Sequence, residues 1–415
     1  MRLFYCAFES IFDPVFESQV LVFLKSINNK LNPDGKAVNL VIFGSIGDLF
    51  KKNYIYRRKY IKNFLDRKCF FAFKFPYFYR FPILFKCSLL INTLICFLTL
   101  CLVVRLKKSE PALFHCRTEM GSYFLLILRR IFFKNIKIIC DCRGIGSKEM
   151  LYKSKNKSSN ISFKRIEKIE SFSQQNSDYL FCISKAFKNY IQSKTNRTNR
   201  IKVVPCCLDT GQFKYDSNVR DAIRNDFGVR NKFVLLYAGS LNGWQLPVEM
   251  VKIFKIFSTV IKDSFFIMFT NDVKYARELF SNFGLKKDTY IIRSVPHYLI
   301  NRYLPVGDLG LLIRQDNDVN RVAFPLKFFE YIRCGVPILS SITSDLSVLI
   351  KKYNLGFRLK DYNNESEIRK IALLIKSKLD YLKSDMYKKK LSTIIEKEMS
   401  WDNYLDSIIN IYGEI

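Results

Sequence analysis

The stretch Asn320-Arg321-Val322-Ala323-Phe324-Pro325-Leu326-Lys327-Phe328-Phe329-Glu330-Tyr331-Ile332-Arg333-Cys334-Gly335-Val336-Pro337-Ile338-Leu339 organises the reading of the whole chain. Pro325 opens a helix, since a residue without an N–H loses nothing at the first helical position. Gly335-Val336-Pro337 closes it and leads into an apolar strand. The N-terminus of such a helix offers unpaired N–H groups and partial positive charge, a seat for phosphate. Lys327 and Glu330 stand three apart and share a face. The ammonium suits a diphosphate, and the carboxylate can accept hydrogen bonds from ribose hydroxyls. This layout is expected where a nucleotide-sugar donor binds. As a plain surface pair the same two residues would contribute only about a few tenths of a kcal/mol.

Outward from that motif, short apolar strands alternate with helical patterns. The C-terminal half reads as strands at 233–237, 265–269, 289–292, 309–313 and near 338. Helices fall at 247–261 and 273–283, from 345, and from 365 to the end. The N-terminal half reads as strands at 3–8, 37–43, 112–116, 136–140, 179–183 and 201–204. Helices lie at 14–27, 54–66, 120–133, 163–175 and 185–193, with a polar surface loop over 153–160. Strand–helix alternation argues for parallel sheets covered on both faces. A chain of 415 residues exceeds one comfortable core, and the loss of apolar strands between 209 and 230 places a domain boundary there. The expected architecture is α/β: two doubly wound, Rossmann-like domains facing a cleft, with ligands outside the carboxyl ends of the strands.

Charge narrows the partners. The net charge is +31, from 68 Lys and Arg against 37 Asp and Glu. No nucleic-acid-binding motif accompanies it, so nucleic acid is not an expected partner and an anionic membrane surface is. A Lys-, Asn- and Ile-rich coding bias is the plainer reading. The 12 Cys form no CxxC pair and no His is placed to complete a zinc site with them, so none is expected and free thiols in a reducing compartment are. Residues 1–8 are too short and too weakly basic for a signal peptide and read as a first strand, which implies the cytoplasm. The uncharged run 87–104, between Lys86 and Arg105, admits three readings: a membrane span, a helix in the membrane interface, or a buried core helix. In the second, the aromatic and basic run 70–80 is the interfacial anchor.

The order of motifs resembles the family 4 glycosyltransferases, the group 1 enzymes of GT-B fold that assemble bacterial surface polysaccharides. Leu236-Tyr237-Ala238-Gly239-Ser240 resembles the first strand and turn of the family's C-terminal domain. The segments Val295-Pro296-His297-Tyr298 and Tyr303-Leu304-Pro305-Val306-Gly307-Asp308 follow in its order, and 325–331 resembles the donor segment of a capsule-type subset. His115-Cys116-Arg117, Asp141-Cys142-Arg143-Gly144 with Glu149, Cys182-Ile183-Ser184 and Val204-Pro205-Cys206-Cys207-Leu208-Asp209 with Phe213 match its N-terminal half. Trp401 and the last helix match the terminal segment that crosses back. The resemblance implies an acceptor-binding domain over 1–212, a donor-binding domain over 213–395 and a returning helix over 396–415.

It further implies a retaining, metal-independent transferase needing no cofactor. The sugar would pass from a nucleoside-diphosphate sugar to a lipid-linked or glycan acceptor at the inner face of the plasma membrane. Glu330 would bind the ribose, Gly239 and Ser240 the phosphates, and Lys327 and Arg314 the leaving diphosphate. His115 would face the transferred sugar, with catalysis assigned to His115 and Glu330. Asp141, Arg143 and Glu149 would stand on the acceptor side, and His297 would only start a helix. As core elements instead, His115 would be a satisfied strand residue and Asp141 and Arg143 a local pair. The family's first glutamate falls on Val322, with Asn317 or Asp318 as substitutes. Its Arg and Lys after Gly239 are absent from 242–247, and its early Gly-rich loop is replaced by 9–19. A scaffold without catalysis and a nucleotide-sugar epimerase are the alternative functions.

Overall fold

The computed structural model describes residues 1–79, 81–153, 159–208, 211–241, 245–341 and 344–415. Arg80, Asp209, residues 242–244 and the middle of the 153–160 run lie outside them. Two units emerge: residues 1–206 with 401–415, and residues 207–400. The first break falls ahead of the expected 212/213 and the second beyond the expected 395/396. Trp401, which packs on Phe23 at 4.8 Å between ring centroids, already belongs to the first unit.

The first unit holds a seven-stranded sheet in the order β3-β2-β1-β4-β5-β6-β7. Its strands are β1 (Arg2–Ala7), β2 (Val38–Ser45), β3 (Cys69–Lys74), β4 (Ala112–Arg117), β5 (Ile136–Cys142), β6 (Tyr179–Cys182) and β7 (Ile201–Val203). Each neighbouring pair is parallel. Alternation sorts the side chains of β1. Phe4, Cys6 and Phe8 join Val41, Phe43, Phe114, Ile138 and the helix Glu119–Ile131 in one core. On the opposite face Tyr5 meets Phe23 at 5.5 Å between centroids.

Edge strand β3 takes residues 70–74 of the expected anchor run 70–80 into the sheet. Phe70, Phe71 and Phe73 are strong strand formers. Phe70 and Ala72 pack on the core cluster, while Phe73 meets Tyr54 on the other side at 5.8 Å. All of the apolar run 87–104 but Val104, its C-cap, falls within the helix Pro82–Leu98 and a wider turn, Thr99–Val103. Only one face of it is buried, at Phe85, Ser88, Asn92 and Cys96, so it is not an ordinary core helix.

The second unit holds a six-stranded sheet, β10-β9-β8-β11-β12-β13. Its strands are β8 (Phe233–Ala238), β9 (Ser264–Phe269), β10 (Tyr290–Arg293), β11 (Leu309–Leu312), β12 (Ile338–Ser340) and β13 (Gly356–Arg358), again all parallel. The short β13 had no legible sequence pattern. In both sheets the strand order reverses beside the first strand, at β1/β4 and at β8/β11, the switch points where such sheets bind ligands.

Charge inside the second unit ties its layers together. The stretch 209–230, whose charges suggest a solvent-facing boundary, contains the helix Ser217–Asp226, and its Arg220 and Arg224 are buried. They reach Asp308, fully buried at the head of β11, at 2.5 and 3.1 Å. The Asp308 carboxylate also accepts from Val234 N at 2.9 Å, and Lys388 Nζ lies 4.0 Å away. Lys388, on the helix Asp385–Glu398, donates to the carbonyls of Gly307 and Gly335 at 3.3 and 3.2 Å. Burial pushes the Asp308 carboxyl up, but Arg220, Arg224 and Lys388 outweigh it and hold it far below the usual range. With the folded pKa depressed, this stabilisation is present above about pH 4 and disappears only in strong acid. Asp308→Asn leaves three buried cations short of a counter-charge. It is expected to cost the second unit about 3 kcal/mol or more, measured as a shift of its denaturant midpoint at neutral pH.

Candidate functional site

The switch point of the second unit gathers most of the expected donor residues. Gly239 follows β8 with φ 146°, a conformation that disfavours a side chain. A Cβ at that position would lie 2.5 Å from Lys327 Nζ and 3.3 Å from the Tyr237 hydroxyl, so only glycine leaves room for the ammonium. Lys327 Nζ donates to the Tyr237 hydroxyl at 3.3 Å and sits 4.6 Å from its ring centroid. Tyr237 donates in turn to the carbonyl of Ser240 at 2.6 Å, which fixes the turn. Ala238 N donates to the Tyr331 hydroxyl at 2.6 Å, locking the helix Leu326–Arg333 against β8.

Pro325 is the N-cap of that helix rather than its first residue, and no side chain caps the first turn. Arg314, just after β11, is buried. Its backbone N–H donates to Ser341 Oγ at 2.8 Å, and its guanidinium reaches Asn320 Oδ1 at 3.4 Å. Burial lowers the Lys327 ammonium to about 7; Arg314 lowers it too, while Glu330 opposes both. Glu330 lies three residues further on the same helix. His297, expected only to start a helix, does begin the turn His297–Leu299, yet its Nε2 also lies 3.8 Å from Glu330 Oε1.

Val322 is buried at the end of the helix Asp318–Val322. Neither proposed substitute for a glutamate there is well placed. The Asn317 side chain caps that helix by accepting from Asn320 N at 2.9 Å, and the half-buried Asp318 lies 4.0 Å from Arg321. Tyr237 and Tyr331 escaped the sequence reading, because nothing in an apolar strand or helix marks which hydroxyl meets a backbone turn.

In the first unit, His115, Asp141 and Arg143 come together at the ends of β4 and β5. Arg143 grips Asp141 Oδ2 with Nε at 2.7 Å and Nη2 at 2.6 Å. His115 Nε2 lies 3.4 Å from the same oxygen, and His115 Nδ1 is 2.6 Å from the Tyr412 hydroxyl. The imidazole is 2% exposed and ringed by Tyr5, Phe23, Phe181 and Tyr412, all of this unit. It is enclosed, which replaces the expectation of a ring open to a sugar. Burial lowers its pKa against the pull of Asp141, so the ring is neutral at pH 7. Burial pushes the Asp141 carboxyl up, but Arg143, His115 and Arg117 hold it at about 2.

Arg117, also at the end of β4, pairs with Glu9 at 2.9 Å, a contact across more than a hundred residues that sequence spacing cannot show. Tyr5 Oη, Arg117 Nη1 and Asp141 Oδ1 are buried without a hydrogen-bond partner among the described residues. Such atoms are costly unless water or a ligand satisfies them. Thr118 adds strain, with φ 76° and ψ 154° just past β4. Glu149 stands apart from this group. It lines a cavity of about 410 Å³ with Tyr79, Thr118, Glu119, Met150 and Glu170. Burial raises both buried carboxyls of that cavity, Glu170 to about 8. No cluster of three or more metal-ligating side chains occurs among the described residues.

No family model matches the chain, and no curated protein matches its sequence. Solved structures do match over its full length. Anabaena HepE in complex with UDP superimposes with a TM-score of 0.68 at 12% identity, covering 100% of both chains. Sucrose-phosphate synthase of Thermosynechococcus elongatus gives 0.68 at 12%, covering 100% of this chain and 99% of its own. WaaG, a glycosyltransferase involved in lipopolysaccharide biosynthesis, gives 0.57 at 11%, covering 97% and 95%. Identities this low speak to architecture alone. With its seven- and six-stranded parallel sheets, the chain has the GT-B fold of these structures.

Proposed function

We propose that the protein is a retaining glycosyltransferase that moves a sugar from a nucleoside-diphosphate sugar to a lipid-linked or polysaccharide acceptor. One observation carries the reading. Lys327 and Arg314 are two cations held together at the switch point of the second unit, beside the Gly239 turn and an uncapped helix N-terminus. Burial works against the charge on Lys327, and a bound diphosphate would restore it. The departing diphosphate gains charge as the glycosidic bond breaks, and positioned cations and helix N–H groups lower the barrier by stabilising that charge. Glu330, one turn along, takes the ribose hydroxyls, with His297 beside it.

Acceptor binding falls to the first unit, where the Asp141–Arg143 pair stiffens the ends of β4 and β5. His115 acts there by positioning, through Tyr412 and Asp141. The structural likeness to WaaG, a glycosyltransferase involved in lipopolysaccharide biosynthesis, favours a place in bacterial surface polysaccharide synthesis, and the net charge of +31 favours work at an anionic membrane face. A nucleotide-binding scaffold without turnover is the second reading, favoured by the buried Val322 where the family resemblance calls for a glutamate.

Assaying a panel of nucleoside-diphosphate sugars with membrane acceptors separates the two. Turnover that Glu330→Ala abolishes supports transfer, whereas nucleotide binding with no turnover of any donor supports the scaffold.

Lys327 supplies a sharper check. Its folded pKa, about 7 when unliganded, rises on binding an anion. Diphosphate affinity is therefore highest below pH 7 and falls above it, by up to about tenfold per unit until the bound pKa is reached. Calorimetric titration with nucleoside diphosphates from about pH 7 to 9, in buffers of different ionisation enthalpy, would show proton uptake. Lys327→Arg is expected to abolish that uptake, and Lys327→Met to weaken binding about tenfold or more. An unchanged pH profile in Lys327→Arg removes Lys327 from the donor site.

A further inference from the structure

The helix Pro82–Leu98, with the turn Thr99–Val103 that continues it, is built inside out. Phe85, Ser88, Asn92, Cys96 and Thr99 face the first unit and are buried. Asn92 is a latch. Its side chain accepts from Phe75 N at 2.7 Å and donates to Phe75 O at 3.0 Å. The hydroxyls of Ser88, Thr93 and Thr99 donate to carbonyls one turn back at 2.8, 2.8 and 2.7 Å. Every one of these polar groups is thus satisfied by the protein itself.

The outer face carries Ile83, Leu84, Leu90, Leu94, Leu98 and Leu102, each between 43 and 76% exposed. A surface helix facing water shows the reverse pattern. No charge interrupts 87–104, while exposed Lys86 stands near one end and Arg105, Lys107 and Lys108 follow the other.

Length and hydropathy alone would let Pro82–Val103 cross a bilayer. Topology argues otherwise. The helix connects β3 to β4, two strands of one sheet, and Cys96, Leu100 and Val104 belong to the core cluster of that sheet. A span would have to pull these residues out of their packing and break the Asn92 latch. An apolar face with basic ends, on a chain of net charge +31, matches the interface of a bilayer rich in anionic lipid.

We propose that this helix lies flat in the headgroup region of an anionic bilayer, its outer leucines among the acyl chains, and does not span it. The proposal rests on the membrane-side reading of the acceptor given above and identifies the surface that docks.

The test uses the full-length protein and two vesicle types, phosphatidylcholine with phosphatidylglycerol and phosphatidylcholine alone. Wild type is expected to float with the anionic vesicles, more weakly at high salt and on the neutral ones. Alkaline carbonate should strip it from cell membranes. Leu90→Glu/Leu94→Glu is expected to lose about tenfold or more of its partitioning, while Leu373→Glu, an exposed leucine of the second unit, should lose none. Nucleoside-diphosphate binding is measured on each variant. Its retention shows that folding is intact, and its absence in wild type refutes the transfer reading without touching the docking surface. Resistance to carbonate overturns the proposal in favour of a span. Equal flotation of the double variant also overturns it, as does a wild-type dimer that ignores vesicles and dissociates when the leucines are replaced.

Discussion

Both sheets depend on a carboxylate that has no business being buried alone. Asp141 and Asp308 are completely enclosed, and taking a carboxylate out of water costs several kcal/mol unless cations and N–H groups surround it. Each is met by arginine: Arg143 in the first unit, Arg220 and Arg224 in the second. The two solutions serve different ends. Asp308 sits at the start of β11, away from the switch-point edge, and binds helices to the sheet. Asp141 sits at the end of β5, where the partners it organises, Arg143 and His115, stand at the strand ends that such sheets use for ligands.

Much of this was written in the chain. Nearly all the central strands follow runs of apolar residues, and the 320–339 motif located the helix and turn that carry Lys327 and Glu330. What failed did so for physical reasons. Strand β3 reads as part of an aromatic anchor because its apolar run, Cys69 to Phe73, passes through Lys74 into the further aromatics of 75–79, and its residues are all only partly buried. Within 209–230, placed as a domain boundary, the buried roles of Arg220 and Arg224 are not legible, because a buried arginine and a solvated one are the same letter. For His115 both an enclosed and an open reading were legible, and the choice between them was not, since its cover, Tyr412, comes from the other end of the chain.

The donor side illustrates how far a motif carries. Spacing puts Lys327 and Glu330 on one face, and that much follows from helical geometry. The ring of Tyr237 beneath the ammonium, the Tyr331 hydroxyl on Ala238 and the proximity of His297 to Glu330 depend on three separate segments meeting. The buried Val322 is legible in the sequence as a departure, and the structure gives it a packing role in place of a polar one.

The return of 401–415 to the first unit bears on how the protein is made. A ribosome exposes β1 through β7 long before Trp401, Leu405 and Tyr412 exist. Until then Phe23 lacks its indole neighbour, His115 lacks its phenol, and Lys30 lacks Asp406, its partner at 2.6 Å. Domains generally fold as units while synthesis proceeds. Here the second unit, whose residues are contiguous from 207 to 400, can close first, and the first-made unit is the last to be finished.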